Sequence, residues 1–214
     1  MKLGEKRKEE AQKGVANGVM LSALIAIVFF TIIIMFLPVL LNLFGCTDAL
    51  RPYALDYGYI ITIGLPFMMI GISLNGIIRA DGSPKYSMIS MVSGAILNII
   101  LDPIFIFVLG LGVKGAAIAT VISQILSFIL NIIYLRKFKS IELKREDFKF
   151  QFKTCTKLIS LGVSSFITEM SIVLLMAAEN NLLKKYGAES KFGAEIPITV
   201  LGIVMKINQI LIDV

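Results

Sequence analysis

Three ionisable side chains interrupt long apolar stretches of this 214-residue sequence: Asp102, Glu169 and Lys206. A charge at the centre of a bilayer costs about 2.5–3.5 kcal/mol on insertion scales, so each marks a candidate working position. At 100° per residue, Ser165, Met176 and Asn180 fall within about 40° of Glu169 on a helix. That face carries polar groups at three depths and is expected to line a cavity, with Met176, Asn180 and Ser165 as substrate-cavity candidates. The Glu169 carboxyl there either takes up a cation or proton, or stays a neutral acid hydrogen-bonded to a neighbouring helix. Asp102 closes the run Asn98-Ile99-Ile100-Leu101-Asp102-Pro103. Asn98 and Asp102 are four apart and share a face, so they could co-ligand an ion or proton. Pro103 has no backbone donor and blocks the normal bond to the carbonyl of Ile99. Two readings stand side by side: a freed carbonyl beside a carboxylate that holds a cation, or a plain kink whose polar side chains repair the backbone. Lys206 has no acidic partner nameable from sequence and is expected to snorkel along its stem.

Other chemistry is excluded by what the chain lacks. It contains no histidine and two cysteines, Cys46 and Cys155. Histidine-based acid–base catalysis and the usual zinc centres are ruled out, and no nucleophile–base pair lies within the spans. No catalytic residues, cofactor or resident metal are expected, and an enzyme is disfavoured.

The elements that must position these side chains are membrane spans. The sequence is 57% hydrophobic and 17% charged, against about 45–50% and about 25% for soluble domains. From Gly14 to Thr47 run 34 residues without a charge, whereas about 20 apolar residues cross a bilayer as a helix. A soluble fold, a nucleic-acid module or a disordered tail is excluded. The expected fold is all-α and membrane-embedded, with six apolar segments at 15–44, 57–78, 86–111, 113–135, 157–178 and 195–214. The first is far longer than a signal-peptide core of about 7–15 residues; it must tilt, kink near Pro38 or project outward.

Loop charges give the orientation. Lys2, Lys6, Arg7, Lys8 and Lys13, then Arg79 and Lys85, then Arg136, Lys137, Lys139, Lys144, Arg145, Lys149, Lys153 and Lys157 occupy alternate loops. The opposite loops hold Arg51, Lys114, Lys184, Lys185 and Lys191. Basic loops stay cytoplasmic, so a multi-pass protein of the cell membrane is expected, N-terminus inside and the 179–195 loop outside. The net charge of +6 is then a topology signal and no nucleic-acid footprint. Cys46 and Cys155 fall on opposite sides and cannot pair. Segment 136–157 alternates basic residues with Phe138, Ile141, Leu143, Phe148, Phe150 and Phe152. It is either an amphipathic connector at the headgroup surface or a solvated linker with incidental aromatics, and it is the best boundary between two bundles. Gly110, Gly112, Gly115, Ala116, Ala117, Ala119 and Thr120, with Gly94-Ala95, Gly64 and Gly71, mark small faces for close helix packing. The basic start and the apolar end at Val214 lead to the expectation of a piece of a larger membrane protein.

Three motifs in order resemble one family. Asn75-Gly76-Ile77-Ile78-Arg79-Ala80-Asp81-Gly82-Ser83-Pro84 resembles the end of the fourth helix of multidrug and toxic compound extrusion (MATE) transporters. Gly94-Ala95-Ile96-Leu97-Asn98-Ile99-Ile100-Leu101-Asp102-Pro103-Ile104-Phe105-Ile106-Phe107 is similar to their fifth helix. Gly112-Val113-Lys114-Gly115-Ala116-Ala117-Ile118-Ala119-Thr120 is similar to the start of their sixth, and Leu161-Gly162 with Ser165-Phe166 to the opening of the seventh. The resemblance implies a share of a twelve-helix, two-lobe fold around a central cavity, covering roughly helices three to eight. Residues 1–137 would be the remainder of the N-terminal lobe, 138–156 the cytoplasmic inter-lobe connector, and 157–214 the start of the C-terminal lobe.

The family exports cationic and amphipathic compounds in exchange for protons or sodium ions. The resemblance maps Asp102 onto an acidic fifth-helix position and Glu169 onto a seventh-helix glutamate. Asn98, Asp102 and Glu169 are thus the coupling candidates, with H+ or Na+ as the transported coupling ion. The expected function is a share of a cation-coupled multidrug antiporter working by alternating access. Its partners would be the bilayer, cationic amphipathic small molecules and the remaining helices of a full-length transporter. The alternatives are a lipid-linked saccharide flippase of the same wider fold group and a non-transporting membrane fragment.

Overall fold

In a computed structural model, the structure describes residues 8–136, 138–139, 145–187, 189, 193 and 195–213. Six α-helices follow one another: α1 (Lys8–Leu43), α2 (Arg51–Ala80), α3 (Pro84–Pro103), α4 (Gly112–Leu135), α5 (Phe152–Gly187) and α6 (Glu195–Asp213). A π-helical turn, Ile104–Val108, continues α3, and a short 3-10 turn, Arg145–Phe148, precedes α5. The first five are long and apolar enough to cross a membrane, and α6 supplies a helix where the sixth segment was expected.

Several boundaries differ from expectation, for local reasons. The third segment does not stay α-helical to 111. Past Pro103 the register widens, with the Leu109 N–H donating to the Ile104 carbonyl five residues back. α5 begins at Phe152, so the last residues of the expected connector are helical. The Cys155 N–H donates to the Gln151 carbonyl, and the Thr154 hydroxyl to Gln151 Oε1. α5 also runs on to Gly187, well into the expected outer loop. Ala177-Ala178-Glu179 and Leu182-Leu183-Lys184-Lys185 are good helix formers, and a charge ends hydrophobicity without ending a helix. The connector's residues 137 and 140–144, including Ile141 and Leu143, lie outside the described residues.

The Asp81-Gly82-Ser83-Pro84 motif has a structural cause. Gly82 sits at φ +79°, the left-handed conformation that glycine adopts without steric penalty. The Ser83 N–H reaches the Ile78 carbonyl and the Gly82 N–H that of Arg79, which is the Schellman ending of a helix. Pro84 then opens α3 at its first position, where its missing donor costs nothing.

Two compact units are formed. The first comprises residues 1–35 and 56–163, the second 36–55 and 164–214. In the first, α3 packs on α4 and on the π-helical turn. α2 is tied to α4 by the Phe67 and Phe128 rings, 5.4 Å apart and edge-on, and by an exposed Lys114–Asp56 ion pair at 3.2 Å. Its core holds Leu74, Ile78, Ala117, Ala119 and Tyr134 together with buried Asn17, Asn75, Asp81, Ser87, Ser90 and Asn131. The small residues sit where close approach requires them. A Cβ on Gly115 would lie 2.6 Å from the Phe105 carbonyl oxygen, and one on Gly94 would run into the Ser127 hydroxyl. In the second unit, α1 ends at Gly45 by the same Schellman pattern, Cys46 N–H to Leu41 and Gly45 N–H to Asn42. The Asn181 amide donates to the Leu43 carbonyl at 2.7 Å, and Lys184 Nζ to the Cys46 carbonyl at 2.6 Å. Both cysteines are free thiols.

Candidate functional site

The first unit carries a partly open cavity of about 320 Å³ between α2, α3 and α4. Apolar walls come from Phe67, Met68, Ile72, Met91 and Phe128, and polar ones from Asn75, Asn98, Gln124, Ser127 and Asn131, with Arg79 at its edge. The polar groups have a periodic origin. Thr120, Gln124, Ser127 and Asn131 follow at intervals of four, three and four, which keeps them on one side of α4. All four line the cavity.

Helix-to-helix bonds hold the walls. Ser90 and Ser127 exchange hydroxyl-to-carbonyl bonds at 3.0 and 3.1 Å between α3 and α4. The Ser87 hydroxyl donates to Asn75 Oδ1, and the Asn75 amide returns a bond to the Ser87 carbonyl at 3.2 Å. Asn131 Nδ2 donates to the Gly71 carbonyl at 3.1 Å, which fixes the sense of its amide. Its Oδ1 has no hydrogen-bond partner among the described residues, nor does Gln124 Oε1. A lining that combines aromatic and thioether surface with a few oriented amides suits an amphipathic small molecule.

Of the residues expected to carry chemistry, Asn98 and Asp102 are brought together: Asn98 Nδ2 donates to Asp102 Oδ1 at 3.1 Å. Asn98 also lines the cavity, and Asp102 is half-buried beside it. Glu169 stands differently. It is exposed on α5, as are Ser165 and Met176, while Asn180 is half-buried. None of the four lines the cavity of the first unit. Among the described residues this face stays exposed, since a shared helical face becomes a wall only where another element covers it. Lys206 is exposed.

Gln124, Ser127 and Asn131 were not among the expected site residues, although their spacing on α4 is legible as a polar stripe. Two buried anchors of the connector were not expected either. Asp81 accepts from the Tyr134 hydroxyl at 2.8 Å and from the Lys139 N–H at 2.9 Å. Tyr134 packs between Tyr86 and Phe138, with ring centres 4.8 and 5.6 Å away. At the other end, Asn17 on α1 accepts from the Gln151 N–H at 2.7 Å and donates to the Lys149 carbonyl at 3.3 Å. The visible signal was one polar residue inside each of two otherwise apolar or basic surroundings.

Comparison with known proteins points one way. The MatE family model matches residues 1–104. The multidrug export protein MepA of Staphylococcus haemolyticus is 34% identical over 136 residues, covering 63% of this chain and 30% of that protein. The probable multidrug resistance protein YoeA of Bacillus subtilis is 26% identical over 222 residues, covering 95% of this chain and 48% of its own length. In structure, the MATE multidrug transporter DinF-BH superposes with a TM-score of 0.85 at 32% identity, over 94% of this chain and 44% of that one. A MATE transporter of the MOP superfamily in an inward-facing conformation gives 0.77 at 25% identity, over 95% and 47%. The chain spans less than half the length of these curated relatives.

Proposed function

Because the chain belongs to the MATE family and is a multi-pass membrane protein, we propose that it forms part of a cation-coupled antiporter. That antiporter exports amphipathic organic cations from the cell. The observation that carries the reading is the Asn98–Asp102 hydrogen bond at the wall of an aromatic-lined cavity inside an apolar bundle. A carboxylate at such a depth is retained at a cost, and a coupling ion is what would offset it. The names of MepA and YoeA, as multidrug export and resistance proteins, support the substrate class.

Coupling follows from differential binding. Proton or sodium ion and drug need only favour different conformations, and each shifts the equilibrium by the difference in its affinity for the two. In this reading Asp102 is the charge that both compete to neutralise, and Asn98 orients it. Glu169 is a second coupling position, its exposed face covered by further helices of a complete transporter, with Ser165, Met176 and Asn180 beside it. The basic loops support a cytoplasmic N-terminus and a location in the cell membrane.

The test is ethidium efflux from proteoliposomes under imposed pH or sodium gradients. Asp102→Asn is expected to abolish gradient-driven efflux while leaving membrane insertion intact, and Glu169→Gln to lower it. Unchanged efflux by Asp102→Asn under both gradients would remove the coupling role. Translocation of a lipid-linked glycan without dye export would replace the reading by the flippase one.

A further inference from the structure

We propose that the end of α1 and the turn of α5 at residues 180–184 form a latch built to open and close, seated in this structure and parted in another of the conformations that exchange requires. Both parts lie in the second unit. The last carbonyls of a helix have no donor within it. That of Leu43, and that of Cys46 just past the cap, are met from α5. Asn181 Nδ2 donates to the Leu43 carbonyl at 2.7 Å and Lys184 Nζ to the Cys46 carbonyl at 2.6 Å. Residues 181 and 184 are three apart and share a face of α5, and the ammonium sits at the negative end of the α1 dipole. Gly45 makes the approach possible. A Cβ there would lie 3.0 Å from the Asn180 carbonyl carbon and 3.0 Å from the Asn181 nitrogen, and its φ of +79° already disfavours any side chain.

What makes this a latch and not a staple is the fate of each group on parting. Asn181 Nδ2 also donates to the Ala177 carbonyl of its own helix at 2.8 Å, so it keeps a partner. The Asn181–Leu43 bond is exposed, and the freed carbonyl meets solvent. The Lys184 stem can carry its ammonium to the membrane surface. In the first unit, by contrast, the bonds of Asn75 with Ser87 and of Asn131 with Gly71 are buried, and breaking one strands a buried group. Apolar grip on the latch is slight, with Leu43 63% exposed and Leu182 55%. A net hydrogen bond changes an equilibrium constant by about two- to tenfold, so two of them bias a two-state equilibrium without fixing it.

The latch rests on the antiporter reading for its purpose, but its opening is measurable without transport. Leu43→Cys and Leu182→Cys, with Cys46→Ser and Cys155→Ser, put spin labels on exposed side chains that take no part in these bonds. Double electron–electron resonance on the complete transporter in lipid bilayers reads their separation at low and high pH, with and without sodium. A short and a longer distance are expected, and Lys184→Met should raise the ratio of long to short by about two- to tenfold. Lys184→Arg keeps a donor and should return the ratio toward that of the parent. Should Lys184→Met not fold, Asn181→Ala removes the other bond and should shift the ratio in the same sense. A single short distance in the parent and in either variant, under every condition, would overturn the proposal. So would two distances whose ratio neither variant moves. A shifted ratio with efflux unchanged by Asp102→Asn would keep the latch and sink the coupling role. A single short distance with efflux abolished by Asp102→Asn would do the reverse.

Discussion

α4 and α5 are almost equally apolar, yet more than a quarter of the most apolar stretch of α4 is buried and none of that of α5. Their polar side chains differ accordingly. On α4, Ser127 bonds to α3 and Asn131 to α2. On α5, the hydroxyls of Thr156, Thr168 and Ser171 all return to carbonyls four residues back, and that of Ser160 to the carbonyl three back. A hydroxyl in an apolar helix is always satisfied; what varies is whether another helix or its own backbone satisfies it. Bonds to another helix specify packing, whereas bonds to the same helix leave it unspecified: Ser123 on α4 bonds its own Ala119 carbonyl and is buried, while the four hydroxyls on α5 are exposed. Asp102 and Glu169, both carboxylates in apolar runs, sit on opposite sides of this divide.

The largest expected effect tests whether α4 is as tightly seated as its buried fraction implies. Gly115→Val would bring side-chain atoms against the backbone of Phe105, where a Cβ alone would be 2.6 Å from the carbonyl oxygen. Backbone cannot turn aside as a side chain can. A loss of about 3 kcal/mol or failure to fold is expected from overpacking, read as a lowered unfolding midpoint in detergent. The same change at Gly162 on α5, where a Cβ meets nothing within 4 Å, should cost no more than a helix propensity. Equal losses at the two sites would erase the distinction.

The buried anchors come next. Asp81→Ala strands the Tyr134 hydroxyl and the Lys139 N–H, and Asn17→Leu strands the Gln151 N–H and the Lys149 carbonyl. Each should cost about 1 kcal/mol, the low end of the penalty for an unpaired buried group, because the backbone groups stranded at Lys139, Lys149 and Gln151 are only partly buried. Proteolysis within the connector should also become faster. Asp81→Asn keeps an acceptor oxygen and is expected to recover most of the loss; no recovery would assign the effect to charge.

The helices and the family's motifs were legible because apolar length and small-residue spacing are local properties of the chain. So was the shared face of Asn98 and Asp102, since residues four apart on one helix meet whatever surrounds them. The polar stripe of α4 was visible as spacing, but its meaning depended on Gly71 and Ser90, residues on other helices. The same gap explains Glu169. The helical wheel grouped it with Ser165, Met176 and Asn180, but no periodicity tells whether a grouped face is covered. Pro103 shows a third case: the missing donor was plain, while its resolution into a π-helical turn depended on how α4 packs against Phe105.

Smaller effects separate the two kinds of hydroxyl. Removing one side of the Ser90–Ser127 pair breaks a bond between helices; such bonds average about 0.6 kcal/mol in membrane proteins. Ser90→Ala and Ser127→Ala should therefore each cost about that much. The double variant should cost less than their sum, because each hydroxyl also positions the carbonyl that the other one uses.

Thr168→Val should cost least, within about 0.5 kcal/mol. Its hydroxyl donates to the Ser164 carbonyl of its own helix at 3.2 Å and is exposed, and valine keeps the shape and branching. The Ser164 carbonyl retains the normal helical bond from the Thr168 N–H, so no backbone group is stranded. The measurement is an unfolding midpoint in detergent, repeated in lipid bilayers. A loss as large as that of Asn17→Leu, in either medium, would mean that the hydroxyl side of α5 is packed against a polar surface. α5 would then resemble α4 after all, and the exposed Glu169 would have to be placed on a covered wall.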